Sequence, residues 1–287
     1  MNQKLEKLLH SLSVNSDGIY ECLPDTLLSA DQEVEIELRK RVASETYDNY
    51  LTTISRSHSI PVMDQEVDHF LKKIPQNGLV LDIGGCWGWH WRRIAQSRPD
   101  VSIVIIDFVR SNLVHAKNVL TDLVGDPVVL MHADATALPF KIDESFSGFD
   151  GVWTVQTFQH IPDFSKAISE AHRVLKAKGV FVNYSINSQP HIRWIYRIAG
   201  REYISKGWVD NMYWLARSSK EQKMIVEDVF CNSVIERCSE ILYSPELHYR
   251  AAGKEGSILG KLDAMISNNY GFLGWLARQH SFQVAKH

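Results

Sequence analysis

Several features that would assign this chain to a class at once are missing from it. Only four cysteines, Cys22, Cys86, Cys231 and Cys238, occur in 287 residues. They form no C-x-x-C pair and no local His/Cys cluster, which argues against a disulfide framework and against a zinc site, so no metal is expected and a reducing cytoplasm fits. Charge of one sign is not in excess either: 31 Lys plus Arg stand against 34 Asp plus Glu, for a net charge of −3. The basic residues are scattered rather than gathered into a track, so nucleic acid is not an expected partner. No stretch approaches ~18 consecutive apolar residues, and Glu6 sits where a secretory signal would need its apolar run; no integral membrane association is expected, and a soluble cytoplasmic protein is. Internal repeats, low-complexity tracts and flexible linkers are absent too.

What is present is an ordinary globular composition, 45% hydrophobic and 23% charged, enough for one sizeable core. From Leu79 to Ser185 short apolar runs alternate with amphipathic stretches, as parallel strands buried on both faces and their crossover helices do. Strands are expected at Leu79 to Ile83, Ser102 to Ile106, Val128 to Ala133, Gly151 to Val155 and Val180 to Tyr184. A helix is expected from Phe164 to Lys178, with Ile168, Ala171, Val174 and Leu175 on one face and Gly179 past its end. Residues 1–77 read as a mostly helical segment without strand alternation. After Ser185 a stretch dense in aromatics and arginines, including Trp194, Tyr196 and Arg197, reads as a helical cap inserted at about 186–230. Ser218 to Glu227 is then a helix leading to a sixth strand within Val234 to Tyr243, and Leu276 to Ala285 is a seventh.

Residues 79–91, Leu-Val-Leu-Asp-Ile-Gly-Gly-Cys-Trp-Gly-Trp-His-Trp, carry the most chemistry: an apolar strand ending in an acid, a glycine loop, then a helix start. Such a loop suits a small anionic or polar ligand held by main-chain N–H groups. The dinucleotide fingerprint G-x-G-x-x-G would need glycine at 84, 86 and 89, and Cys86 and Trp89 break it. The pattern D-x-G-x-G-x-G is met by Asp82, Gly84 and Gly88 and missed at Cys86. The chain thereby resembles the class I S-adenosyl-L-methionine (SAM)-dependent methyltransferases.

Three further segments carry the resemblance in the family's order. Asp107 ends Val-Ile-Ile-Asp, 19 residues past Gly88. Then come His132-Ala133-Asp134-Ala135-Thr136-Ala137-Leu138-Pro139-Phe140 and the segment from Phe149 to Asp163. Together they resemble the small-molecule, methyltransferase type 11-like branch. The resemblance implies a Rossmann-like α/β fold: a seven-stranded, mostly parallel sheet with helices on both faces, within a SAM-binding domain at 78–287. It implies that Asp107 accepts hydrogen bonds from the ribose hydroxyls, that Phe108 lies against adenine, and that Asp134 and the Ala135 N–H read the adenine edge. By the same resemblance Asp82, Gly84, Gly85, Cys86 and Gly88 form the loop, Gln156 lies near the methionine part, and Tyr47, beside Asp48, closes over that end. Trp87 is either core packing or a cation–π partner of the sulfonium.

Methyl transfer needs alignment and exclusion of water more than acid–base help. His160 is the candidate base for an acceptor that carries a proton, with a structural histidine as the alternative. The expected activity is methyl transfer to oxygen or nitrogen of a small-molecule acceptor. Cyclisation or cleavage of SAM itself and C-methylation are the alternatives; a non-enzymatic partner protein and RNA or protein methylation are the more distant ones.

Overall fold

The computed structural model describes residues 3–10, 12–23, 30, 32–34, 36–37, 59–158, 161–186, 190–200, 219–243, 258–269 and 271–287. Its centre is an eight-stranded sheet built from β1 (Ile19–Glu21), β2 (Leu79–Ile83), β3 (Ser102–Asp107), β4 (Val128–His132), β5 (Phe149–Val155), β6 (Leu175–Ile186), β7 (Ile235–Ser239) and β8 (Gln279–Ala285). The order across the sheet is β1-β4-β3-β2-β5-β6-β8-β7. The pairs from β1 to β6 are parallel, and β8 runs antiparallel between β6 and β7. Strands β2 and β3 are buried along their whole length, which is why they read as unbroken apolar runs.

Two apolar layers cover the sheet. On one face α5 (Phe164–Val174) and α7 (Ser219–Phe230) bring in Phe164, Ile168, Val226 and Phe230, and α1 (Gln3–Leu9) adds Leu5, Leu8 and Leu9. On the other face α2 (Ser59–Leu71) and α4 (Arg110–Leu120) pack with Trp91 and Trp153. Trp153 lies between Phe70, Trp91 and Tyr184, with ring centroids 4.9–5.9 Å away. Each large side chain so buried contributes about 1.5–3 kcal/mol.

The α/β architecture is as expected, with differences at its margins. An eighth strand, β1, pairs Ile19 with Leu130 and Glu21 with His132, so residues 1–77 are not helical throughout. Helix α5 stops at Val174, four residues short of Lys178, because Leu175 turns to extended backbone and pairs with Phe149. The last part of the expected cap, α7, buries Val226 and Phe230 in the core and so belongs to the body of the domain. Exposed cap surface is carried by α6 (Pro190–Ile198), where Trp194, Ile195 and Ile198 are solvent-facing; residues 201–218 lie outside the described residues. Among the described residues no helix is long and apolar enough to cross a membrane.

Candidate functional site

Strands β2, β3 and β4 are neighbours and parallel, so they place Asp82, Asp107 and Asp134 near one edge of the sheet, the edge at which open α/β sheets bind ligands. Asp107 is the hub. Its Oδ1 accepts from the Val109 N–H at 2.8 Å and the Asn112 amide at 3.1 Å, and its Oδ2 accepts from the Cys86 N–H at 3.0 Å. The glycine loop is thus fastened directly to the end of β3.

The loop's other main-chain donors are also turned inward. Gly84 and Gly85 N–H groups both reach the Ile106 carbonyl, and the Gly88 N–H reaches that of Gly85. The helix expected after the loop is only a 3-10 turn, Trp89–Trp91, followed by the four-residue α3 (Ile94–Ser97). A long helix dipole behind the loop, one part of the expectation for this motif, is therefore missing, and the acids carry more of the site's polarity.

Asp82 lies beneath the loop rather than in it. It is 1% exposed and accepts a hydrogen bond of 2.6 Å from the Trp91 indole. Burial, with the nearby Asp107 charge, pushes its carboxyl up to about 7 against the opposing Trp91 bond. A Cβ on Gly85 would stand 2.4 Å from Asp82 Oδ2, so glycine is required there. The side chain is displaced to Cys86, which adopts a left-handed φ of 50°. Gly84 has φ 68°, and a Cβ there would stand 2.1 Å from Thr157 Cγ2. The Thr157 hydroxyl donates to the Gly84 carbonyl at 3.2 Å, so the exit of β5 clamps the loop from the far side.

Asp134 caps its own turn, accepting from the Thr136 N–H at 2.7 Å and hydroxyl at 2.9 Å, while its other oxygen accepts from the Gln32 amide at 3.0 Å. Ala135 is buried beside it. Phe108 is half-buried, and its carbonyl meets His132 Nε2 at 3.2 Å. His132 Nδ1 meets Glu21 at 2.8 Å, and Glu21 also holds Arg110 at 2.8 Å. The histidine found where the family motif favours glycine thus ties β1 to the sheet. Gln156, at φ 55°, follows β5 and donates its N–H to the Tyr184 carbonyl at 2.8 Å. Tyr47 and His160 lie outside the described residues.

Trp87 is packed: it is 6% exposed, donates to Asn112 and meets His115 edge-on at 5.6 Å. Thr157, Asn112, Gln32 and Trp91 are supporting residues that the sequence motifs do not name. Asn112 alone leaves a trace, a polar residue on the buried face of α4 beside Leu113 and Ala116.

Residues 81–183 match a family described as a methyltransferase domain. The ubiquinone/menaquinone biosynthesis C-methyltransferase UbiE of Rickettsia prowazekii (strain Madrid E) is 31% identical over 121 residues, 40% of this chain and 47% of that protein. The chain therefore spans less than half the length of the curated relatives it matches. Among solved structures, a SAM-dependent methyltransferase from Thermotoga maritima, described as a possible histamine N-methyltransferase, superposes with a TM-score of 0.55 at 13% identity, covering 88% of this chain and 100% of that one. The plantazolicin methyltransferase BpumL, solved with S-adenosylhomocysteine, gives 0.53 at 14% identity, covering 90% and 100%. The strand order, the strand-end acids around the glycine loop and the family match agree: residues 81–183 are a methyltransferase domain, the fold is that of SAM-dependent methyltransferases, and the cofactor of such a domain is S-adenosyl-L-methionine.

Proposed function

We propose that this protein transfers a methyl group from SAM to an oxygen or nitrogen of a small-molecule acceptor. The observation that carries the reading is the row of acids on β2, on β3 and just beyond β4, with Asp107 fastened to the glycine loop through the Cys86 N–H. That row fits the cofactor. A carboxylate held by neutral N–H donors can still accept from hydroxyl or amino groups, and Asp134 already accepts from the Gln32 amide. In this reading Asp107 holds the ribose hydroxyls, Phe108 lies against adenine, and Asp134 and the Ala135 N–H read its edge. Gln156 and Tyr47 border the methionine end, and Gly84, Gly85, Cys86 and Gly88 shape the loop over Asp82. His160 takes the acceptor's proton. When bound, SAM supplies a methyl already activated on a sulfonium, so the chain's own work is alignment and exclusion of water.

A second reading, C-methylation, is favoured by the 31% identity to UbiE, a protein named for that reaction. Calorimetry with SAM and S-adenosylhomocysteine tests the common basis: saturable binding is expected, and none at millimolar ligand ends both readings. Incubation with SAM alone is expected to leave it intact, and release of methylthioadenosine would instead show cleavage of SAM itself. Isotope-labelled methyl transfer to a panel of small hydroxyl, amine and activated-carbon acceptors, read by carbon NMR, separates the two: a methyl bonded to carbon overturns the first.

A further inference from the structure

Sequence spacing argues against zinc because the cysteines form no C-x-x-C pair and no local His/Cys cluster. Strand pairing changes that on the far side of the sheet. Cys238 on β7 is the register partner of His280 on β8, and Glu236, two residues before Cys238, points to the same face of the ladder. One carboxylate oxygen, the thiol sulfur and one imidazole nitrogen all lie within 4.8 Å of one another. The three come from a rigid two-stranded antiparallel pair, so little reorganisation separates them from a shared ligand.

The surroundings of His280 point the same way. Its Nε2 lies 3.2 Å from the Gly274 carbonyl and its Nδ1 lies 2.9 Å from Glu236 Oε1, and both of these oxygens only accept. A metal ion on the face shared with Cys238 would sit where Nδ1 now meets the carboxylate, while Nε2 keeps its bond to the carbonyl. A histidine whose second nitrogen is fixed by a main-chain carbonyl is the usual orientation of a metal-bound imidazole. The turn that supplies this carbonyl, Gly271–Leu276, passes so close to the thiol that a Cβ on Gly274 would stand 2.9 Å from Cys238 Sγ. Lys223 holds the other side of the Glu236 carboxylate at 3.3 Å. Glu236 remains 35% exposed and His280 17%, which leaves an entry path for an ion.

We propose that Glu236, Cys238 and His280 form a binding site for a divalent transition metal of the zinc class, with water completing a tetrahedral shell. A thiolate, an imidazole and a carboxylate on one metal is the donor mix such an ion takes. Binding displaces the Cys238 thiol proton to solvent and staples edge strand β7, strand β8 and the preceding turn into one unit. The site stands apart from the glycine loop, so its role is structural and separate from methyl transfer.

The test uses the full chain, stripped with a chelator and titrated with Co²⁺ as a spectroscopic stand-in. One equivalent should produce tetrahedral visible bands with a thiolate-to-cobalt charge-transfer band, both removed by Zn²⁺, and Zn²⁺ should raise the melting temperature. Cys238→Ser should lose the charge-transfer band. Cys238→Ser, His280→Gln and the more exposed Glu236→Gln should each weaken binding by roughly tenfold or more, with far-ultraviolet circular dichroism confirming that each variant is folded. No thiolate band with the folded wild-type chain overturns the proposal and leaves Glu236 and His280 as a simple hydrogen-bonded pair. A band that persists in Cys238→Ser overturns it as well, because another cysteine would then be the ligand.

Discussion

The acids at the ends of β2, β3 and just beyond β4 are met by neutral donors, whereas Glu66 and Glu240, buried around β6, β8 and β7, are met by arginines. In the first group Asp82 has an indole, Asp107 two main-chain N–H groups and an amide, and Asp134 a hydroxyl, an N–H and an amide. In the second, Glu66 on α2 accepts from Tyr184, Asn268 and Arg237. Glu240, fully buried beyond β7, meets Arg278 at 2.6 Å. Burial pushes both glutamates up, but for Glu66 the nearby His69 imidazole, 3.8 Å away, and the Arg237 charge outweigh it. For Glu240 the Arg278 charge and hydrogen bonds from Ser59, Arg278 and Gln279 do the same, and both stay below the ordinary range. A neutral donor fixes a carboxylate without cancelling its charge; an arginine closes the pair. Asp107 and Asp134 are therefore held without a cation, while Asp82 is buried beneath the loop; Glu66 and Glu240 instead hold α2, β7 and the last strand together.

The largest expected effect falls on the arginine half. Arg278→Met leaves Glu240 buried without its cation and should lower unfolding stability by about 3–5 kcal/mol in urea titrations, while SAM affinity of the folded fraction stays unchanged. A comparable loss of SAM binding would erase the distinction between the halves. Next comes Asp107→Asn, expected to weaken SAM by on the order of 100-fold, about 3 kcal/mol, in calorimetry. Its effect on stability should be the smaller of its two consequences.

The third expectation concerns pH. Asp82 has a folded value raised to about 7 from 3.8, so folding favours its protonated form. The sign follows: its contribution to stability is full below about pH 4 and is lost as pH rises through about 7. Urea midpoints at about pH 5 and about pH 8 should differ through this group, and Asp82→Asn should flatten that difference. The smallest effect is that of Cys86→Gly. It relieves the left-handed φ of 50° by about 1 kcal/mol, partly offset by greater freedom of the unfolded chain, and should raise the midpoint slightly with SAM binding retained.

The arrangement was readable in the sequence where pattern and burial coincide. Leu79–Ile83 has the expected bounds because all five residues are buried and the next residue is a glycine with left-handed φ. It was unreadable where pairing overrides local preference. Leu175 continues the apolar face of α5 yet pairs with Phe149, and Lys178 bends the chain at φ 63°. Three-residue β1 is too short to show alternation, and what holds it, the bonds of Glu21 with His132 and Arg110, joins residues about a hundred positions apart. Around the site, Asp107 and its loop follow from spacing alone, whereas Thr157 against Gly84 and Gln32 against Asp134 depend on tertiary contact. The meeting of Cys238 and His280 depends likewise on β8 entering the sheet antiparallel.

Strand β1 also guards the molecule against its own copies. Without it, β4 would be the rim of the sheet, offering the unpaired main-chain groups of Val128–His132, an apolar run well suited to recruiting a strand from another chain. A three-residue strand bearing Glu21 and braced by Arg110 and His132 leaves too short and too charged a rim to extend. Among the described residues, His132 thereby helps to close the rim of the sheet.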